Sequence, residues 1–133
     1  MQRHVELVVT GRRPLGGGSS SRLQWREAIR DAAQSVAPDP RAVPDGAPLT
    51  VDVEFRITQP RFGSSDLDNL VKPVLDTLFR SRDEQLDPSL TAALLPIDDA
   101  AIQRLVVEKH RVDRREDEGL SVSVSWETDK PDG

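Results

Sequence analysis

Hydrophobic and polar positions alternate through four stretches of this chain and recur at helical spacing through two more. Val5, Leu7 and Val9 share one side of His4 to Thr10 at a period of two, which predicts a first strand. Leu49, Val51, Val53, Phe55 and Ile57 alternate with Thr50, Asp52, Glu54, Arg56 and Thr58, and predict a second strand over 49–58. A turn at Asp98 and Asp99 leads into a third within 97–112, with Leu105 and Val107 on one face and Val106 on the other. Leu120, Val122, Val124 and Trp126 alternate with three serines and predict a fourth over 120–127 with one solvated face. Leu23, Ala28, Ile29, Ala32, Ala33 and Val36 form a helical stripe from Ser21 to Ala37, with Ser21 and Gln24 as a capping box. Leu67, Leu70, Val71, Val74, Leu75, Leu78 and Phe79 define a second amphipathic helix. A start near Asp68 keeps Pro73 close to the first turn, where proline is tolerated.

The segments between are punctuated. Gly16 to Ser20 read as a flexible loop, four prolines break residues 38–48, and 59–65 read as a loop. Residues 80–96 mix charges with Pro88 and Pro96 and show no period that fixes their conformation. Arg114 to Glu118 read as a solvated charged turn, and 128–133 as a polar, disordered tail. The order of elements predicts one α+β domain over residues 1–127, a small mixed sheet of about four strands carrying two main helices.

Composition narrows the class of function. A chain of 133 residues suits one domain, which at this size buries roughly two-thirds of its surface without covalent staples. It has no cysteine, so disulfides, thiol catalysis and cysteine-ligated zinc are excluded. No apolar run has the length of a bilayer span and no segment reads as a secretory leader, so a soluble cytoplasmic protein is expected. With 18 basic residues against 23 acidic the formal charge is -5, which argues against an indiscriminate nucleic-acid binder. Carboxylates that converge on divalent cations would reverse the field locally.

The carboxylates are placed suggestively. Asp66 and Asp68 flank the start of the second helix, two apart in extended chain, where both can face one hard cation. Asn69, Lys72 and Asp76 follow on the polar side of that helix, with Lys72 beside the acidic pair. A third carboxylate from Asp99 would complete a site with positions open for water and a phosphate oxygen, as metal-assisted phosphodiester hydrolysis requires. Taken singly, these residues have ordinary explanations. An aspartate at a helix start is a capping signal more often than a ligand, and Asp98-Asp99 alone is a turn. Trp25 and Phe62 could stack on bases, although core packing accounts for them more simply.

Together, Asp66-Leu67-Asp68-Asn69-Leu70, Lys72, Asp76-Thr77-Leu78 and Ile97-Asp98-Asp99 resemble the RusA-type Holliday junction resolvases, small homodimeric magnesium-dependent endonucleases. The resemblance covers about 80 residues from position 49 onward. It implies a RusA-like homodimeric fold, with Asp66, Asp68 and Asp99 as metal ligands and catalytic residues and Lys72 as the catalytic lysine. Asn69, Asp98 and Asp76 would orient them, magnesium (or manganese) would be the cofactor, and branched DNA the substrate in recombination and repair. Arg12, Arg13, Arg61 and Lys109 are the candidate DNA contacts.

The chain departs from the family pattern in its loops. Gly11 to Ser21 is rich in glycine and serine, with Arg12 and Arg13 its bases, and the loop before Asp66 keeps only Arg61. These differences predict weaker phosphate binding. Two alternatives stand beside resolution of junctions: a non-catalytic RusA-like dimer that binds nucleic acid or a protein partner, and a related nuclease that acts on flaps or RNA.

Overall fold

Leu49, Val51, Val53, Phe55 and Ile57 are all buried, because they share the face of their strand that turns into the core, while the strand has a neighbour on each side. In the computed structural model, which describes residues 1–16, 21–80 and 90–128, four strands form one sheet: β1 (Gln2–Thr10), β2 (Leu49–Ile57), β3 (Ile102–Arg111) and β4 (Gly119–Glu127). Their order is β1-β4-β2-β3. β4 runs antiparallel to β1 and to β2, with Val124 opposite Val5 on one side and Val51 on the other. β3 runs parallel to β2, with Val53 opposite Val107. The sheet is therefore mixed, and the expected small α+β architecture is found.

A parallel neighbour cannot be reached through a hairpin, so the chain must cross over between β2 and β3. Helix α3 (Leu67–Leu78) lies in that crossover, preceded by a single helical turn, α2 (Arg61–Ser64). Leu70, Val71, Val74 and Leu78 of α3 join the sheet's inward side chains in one core. Helix α1 (Arg22–Gln34) adds Trp25, Ile29 and Ala33 to that core and packs against α3 and β1. Burying a side chain of this size contributes about 1.5–3 kcal/mol, so β2 and α3 anchor the fold. The opposite sheet face carries the β4 serines together with Glu6, Asp52, Glu54 and Glu108 around a groove of about 360 Å³. The solvated face expected of those serines is present.

Several expectations change. The helix predicted from Ser21 to Ala37 ends at Gln34, Leu23 is 57% exposed and Val36 lies beyond it. The capping box does not form, since the Ser21 side chain makes no capping hydrogen bond. Residues 59–65 contain α2 instead of an unbroken loop, and Phe62 packs against the core from that turn. Pro73 is the seventh residue of α3 and not near its first turn. Its missing N–H deprives the Asn69 carbonyl of a helical donor, and Pro73 is itself buried against the core.

Of the 80–96 connection, residues 81–89 lie outside the described residues, as do Gly17 to Ser20 and the predicted tail beyond Thr128. Thr128 itself donates N–H and hydroxyl to the Met1 carbonyl. After the gap the chain returns along the C-terminal end of α3. Leu90, Leu94 and Leu95 are buried, the N–H groups of Leu94 and Leu95 each donate to Leu78 O at 3.1 Å, and Asp99 N–H donates to Arg80 O at 3.1 Å. This knot delivers the Asp98-Asp99 turn. Among the described residues no helix is long and apolar enough to cross a membrane.

Candidate active site

Two groups of the predicted residues stand at opposite ends of α3. At its N-terminus Asp66 occupies the cap position in extended conformation, and its side chain makes no capping hydrogen bond. The routine explanation for an aspartate at this position is therefore not the one its carboxylate fulfils. Asp68, in the first turn, accepts from Asn69 N–H at 3.0 Å. Both carboxylates are exposed, and the positive end of the helix dipole favours negative charge there. Gly16 lies against Asn69 so closely that a Cβ at residue 16 would collide with the amide. The loop after β1 thus comes up against this end of the helix.

At the other end stand Asp76, Asp98 and Asp99. Asp76 is held on the inner flank of α3, and its Oδ2 lies 3.6 Å from Lys72 Nζ. Asp98 caps the short helical turn Asp99–Ala101, accepting from Ala100 N–H at 2.8 Å. Asp99 is partly buried. Burial, a hydrogen bond shared with Asp98, and the charges of Asp98 and Asp76 push its carboxyl above the usual carboxylate range, while Lys72 pulls it back. Two carboxyl groups that share a hydrogen bond need a proton or a cation between them.

Asp66, Asp68 and Asp99 are not gathered into a ready-made metal group among the described residues. Asp76, which neighbours Asp99, lies eight residues beyond Asp68, about 12 Å of helical rise. Neither Asp66 nor Asp68 is among the charges that perturb Asp99. Among the described residues no group of three or more acids or histidines converges tightly enough to hold a metal ion. The parallel pairing makes α3 start after the end of β2 and finish before the chain turns back toward the beginning of β3. Lys72 Nζ lies near Asp76, one turn further along α3.

Three of the four predicted DNA contacts, Arg13, Arg61 and Lys109, have their side chains engaged within the fold. Lys109 Nζ donates to Phe62 O at 2.6 Å and Ser65 O at 2.9 Å, and lies 5.0 Å from the centre of the Phe62 ring. Arg61 donates to Pro14 O at 2.7 Å, while its Nη1 is buried with no hydrogen-bond partner. Burial and the neighbouring Arg13 pull the Arg61 guanidinium below the usual arginine range, against Glu118. Arg13 Nε lies 3.5 Å from Glu118 Oε1. Arg12 is exposed.

Glu118, read from sequence as part of a solvated turn, is only 2% exposed. Burial alone would push its carboxyl up, but bonds from Thr58 N–H at 3.0 Å and Thr58 Oγ1 at 2.9 Å, with Arg13, bring it below the ordinary value. It ties the loop after β1 to the end of β2. Nothing in its charged surroundings signalled burial; Gly119, whose Cβ would strike the Val9 carbonyl, was the available hint that the chain is pressed against β1 here. Arg26 was missed likewise, because it interrupts an apolar stripe that is otherwise complete without it. Trp25 proves to be core, at 2% exposure. No protein-family model matches this chain, and no curated protein matches it.

Proposed function

We propose that this chain is a magnesium-dependent endodeoxyribonuclease that nicks phosphodiesters in branched DNA as a RusA-like homodimer. The observation that carries the reading is the Asp98-Asp99 pair, two carboxyl groups crowded against Asp76 with Lys72 as the facing cation. Such crowding is unfavourable unless a cation relieves it. Asp66, Asp68 and Asp99 would hold the metal, with Asp98, Asn69 and Asp76 orienting them. Magnesium, or manganese in its place, would polarise the phosphate and lower the pKa of water. Lys72, 60% exposed at its side chain, is able to reach a phosphate oxygen and offset charge that develops during cleavage.

In the homodimer of this reading two metal sites would face two strands of one DNA substrate. The non-catalytic dimer remains the second reading, favoured by the internal bonds of Arg13, Arg61 and Lys109. Incubation of labelled four-way, flap, duplex and single-stranded DNA, and RNA, with magnesium or with chelator separates the readings. Magnesium-dependent nicks in the four-way junction support resolution of junctions, preference for flaps or RNA supports the related nuclease, and binding without nicks supports the non-catalytic dimer.

A further inference from the structure

Arg26 is the most deeply buried cation of the described chain, 3% exposed in the middle of α1. Arginine is almost never buried unless its guanidinium is paired. Here Nε donates to Thr77 Oγ1 at 2.8 Å and Nη2 to Leu90 O at 2.6 Å. Thr77 in turn donates its hydroxyl to Pro73 O at 2.7 Å. One buried side chain therefore joins three pieces of chain: α1, the C-terminal half of α3, and the segment that returns from α3 toward Asp98 and Asp99. Burial lowers the affinity of this guanidinium for its proton, and the charge of Asp76 restores part of it, which places Asp76 within electrostatic reach.

A buried charge of this kind is a poor way to gain stability, since an apolar side chain of similar volume does as well or better. What it supplies is a fixed geometry. We propose that Arg26 is a positioning residue: from inside the core it fastens the returning segment to α3, and so sets where Asp98 and Asp99 stand relative to Asp76 and Lys72. The inference rests on the reading of those carboxylates as part of a metal-assisted centre. Arg26 touches neither metal nor substrate, and acts through Thr77 and Leu90.

The experiment compares the full chain with Arg26→Met, Arg26→Lys, Thr77→Val and the control Arg30→Met, the last on the same helix. Two quantities are read: Mn2+ affinity, and amide exchange at Leu94, Leu95 and Asp99 relative to Val51 and Val53 in β2. Arg26→Met should lower Mn2+ affinity about tenfold to a hundredfold and speed exchange selectively at Leu94, Leu95 and Asp99. Thr77→Val should do the same to a smaller extent, Arg26→Lys should recover part of the loss, and Arg30→Met should resemble wild type. Unchanged affinity and exchange in folded Arg26→Met would overturn the proposal, as would faster exchange spread uniformly into β2. Should Arg26→Met fail to fold, Thr77→Val decides on the same readouts. A wild-type chain that binds no Mn2+ removes the metal reading alone, and selective exchange then decides whether Arg26 fastens the segment.

Discussion

Lys72 Nζ stands 3.6 Å from Asp76 Oδ2, one turn toward the C-terminus of α3 and away from Asp68. The lysine thus faces the same crowded carboxylates that raise Asp99, and its charge is what opposes their repulsion. Its side chain remains 60% exposed, so it is within reach of an incoming phosphate.

Replacement of Lys72 separates a surface ion pair from a catalytic cation. An exposed pair contributes at most about 1 kcal/mol, so Lys72→Met should melt near wild type. Loss of a donor aimed at developing charge should slow single-turnover nicking about 100- to 1,000-fold. Equal rates would leave Lys72 a surface residue.

Glu118 should impose a pH dependence on stability. Its carboxyl is held below the ordinary value in the folded chain, so the folded state binds this proton less readily than the unfolded state. Its stabilisation is present above the ordinary glutamate pKa and is lost as pH falls through the depressed one. Thermal melts from neutral to acid pH should show Glu118→Gln less stable than wild type at neutrality, with the gap closing in acid. A constant gap would mean that the carboxylate's charge is unimportant.

Arg12 and Lys109 should diverge. Arg12 is exposed, so Arg12→Ala should leave melting unchanged and reduce the slope of log DNA affinity against log salt by about 1. Lys109 is bonded to two carbonyls at 2.6 and 2.9 Å, and Lys109→Ala should lower the melting temperature by releasing α2. Identical effects from the two substitutions would contradict the division into DNA contact and structural cation.

Much of the fold was legible, for a definite reason. β2 and β4 alternate strictly because each is covered on one face alone, and the stripe of α3 is complete because its apolar side enters the core. Periodicity reports faces. It does not report which ends of elements meet, and the course of the chain from α3 to the Asp98-Asp99 turn follows from the parallel pairing of β2 with β3, a long-range event. Glu118 and Arg26 were illegible for a related reason: a charged side chain is buried only when partners such as Thr58, Arg13, Thr77 and Leu90 arrive from distant parts of the chain. The Asp98-Asp99 turn was legible as a turn, whereas its proximity to Asp76 depends on the bond from Asp99 N–H to Arg80 O.

The most direct measurement is single-turnover nicking of a labelled four-way junction in magnesium by wild type, Asp68→Asn and Asp99→Asn. Wild type should nick the junction, and chelator should abolish the reaction. Each variant alone should be slowed at least about 100-fold. No nicking by wild type in magnesium would contradict the nuclease, and wild-type rates in Asp68→Asn or Asp99→Asn would contradict the assigned metal ligands.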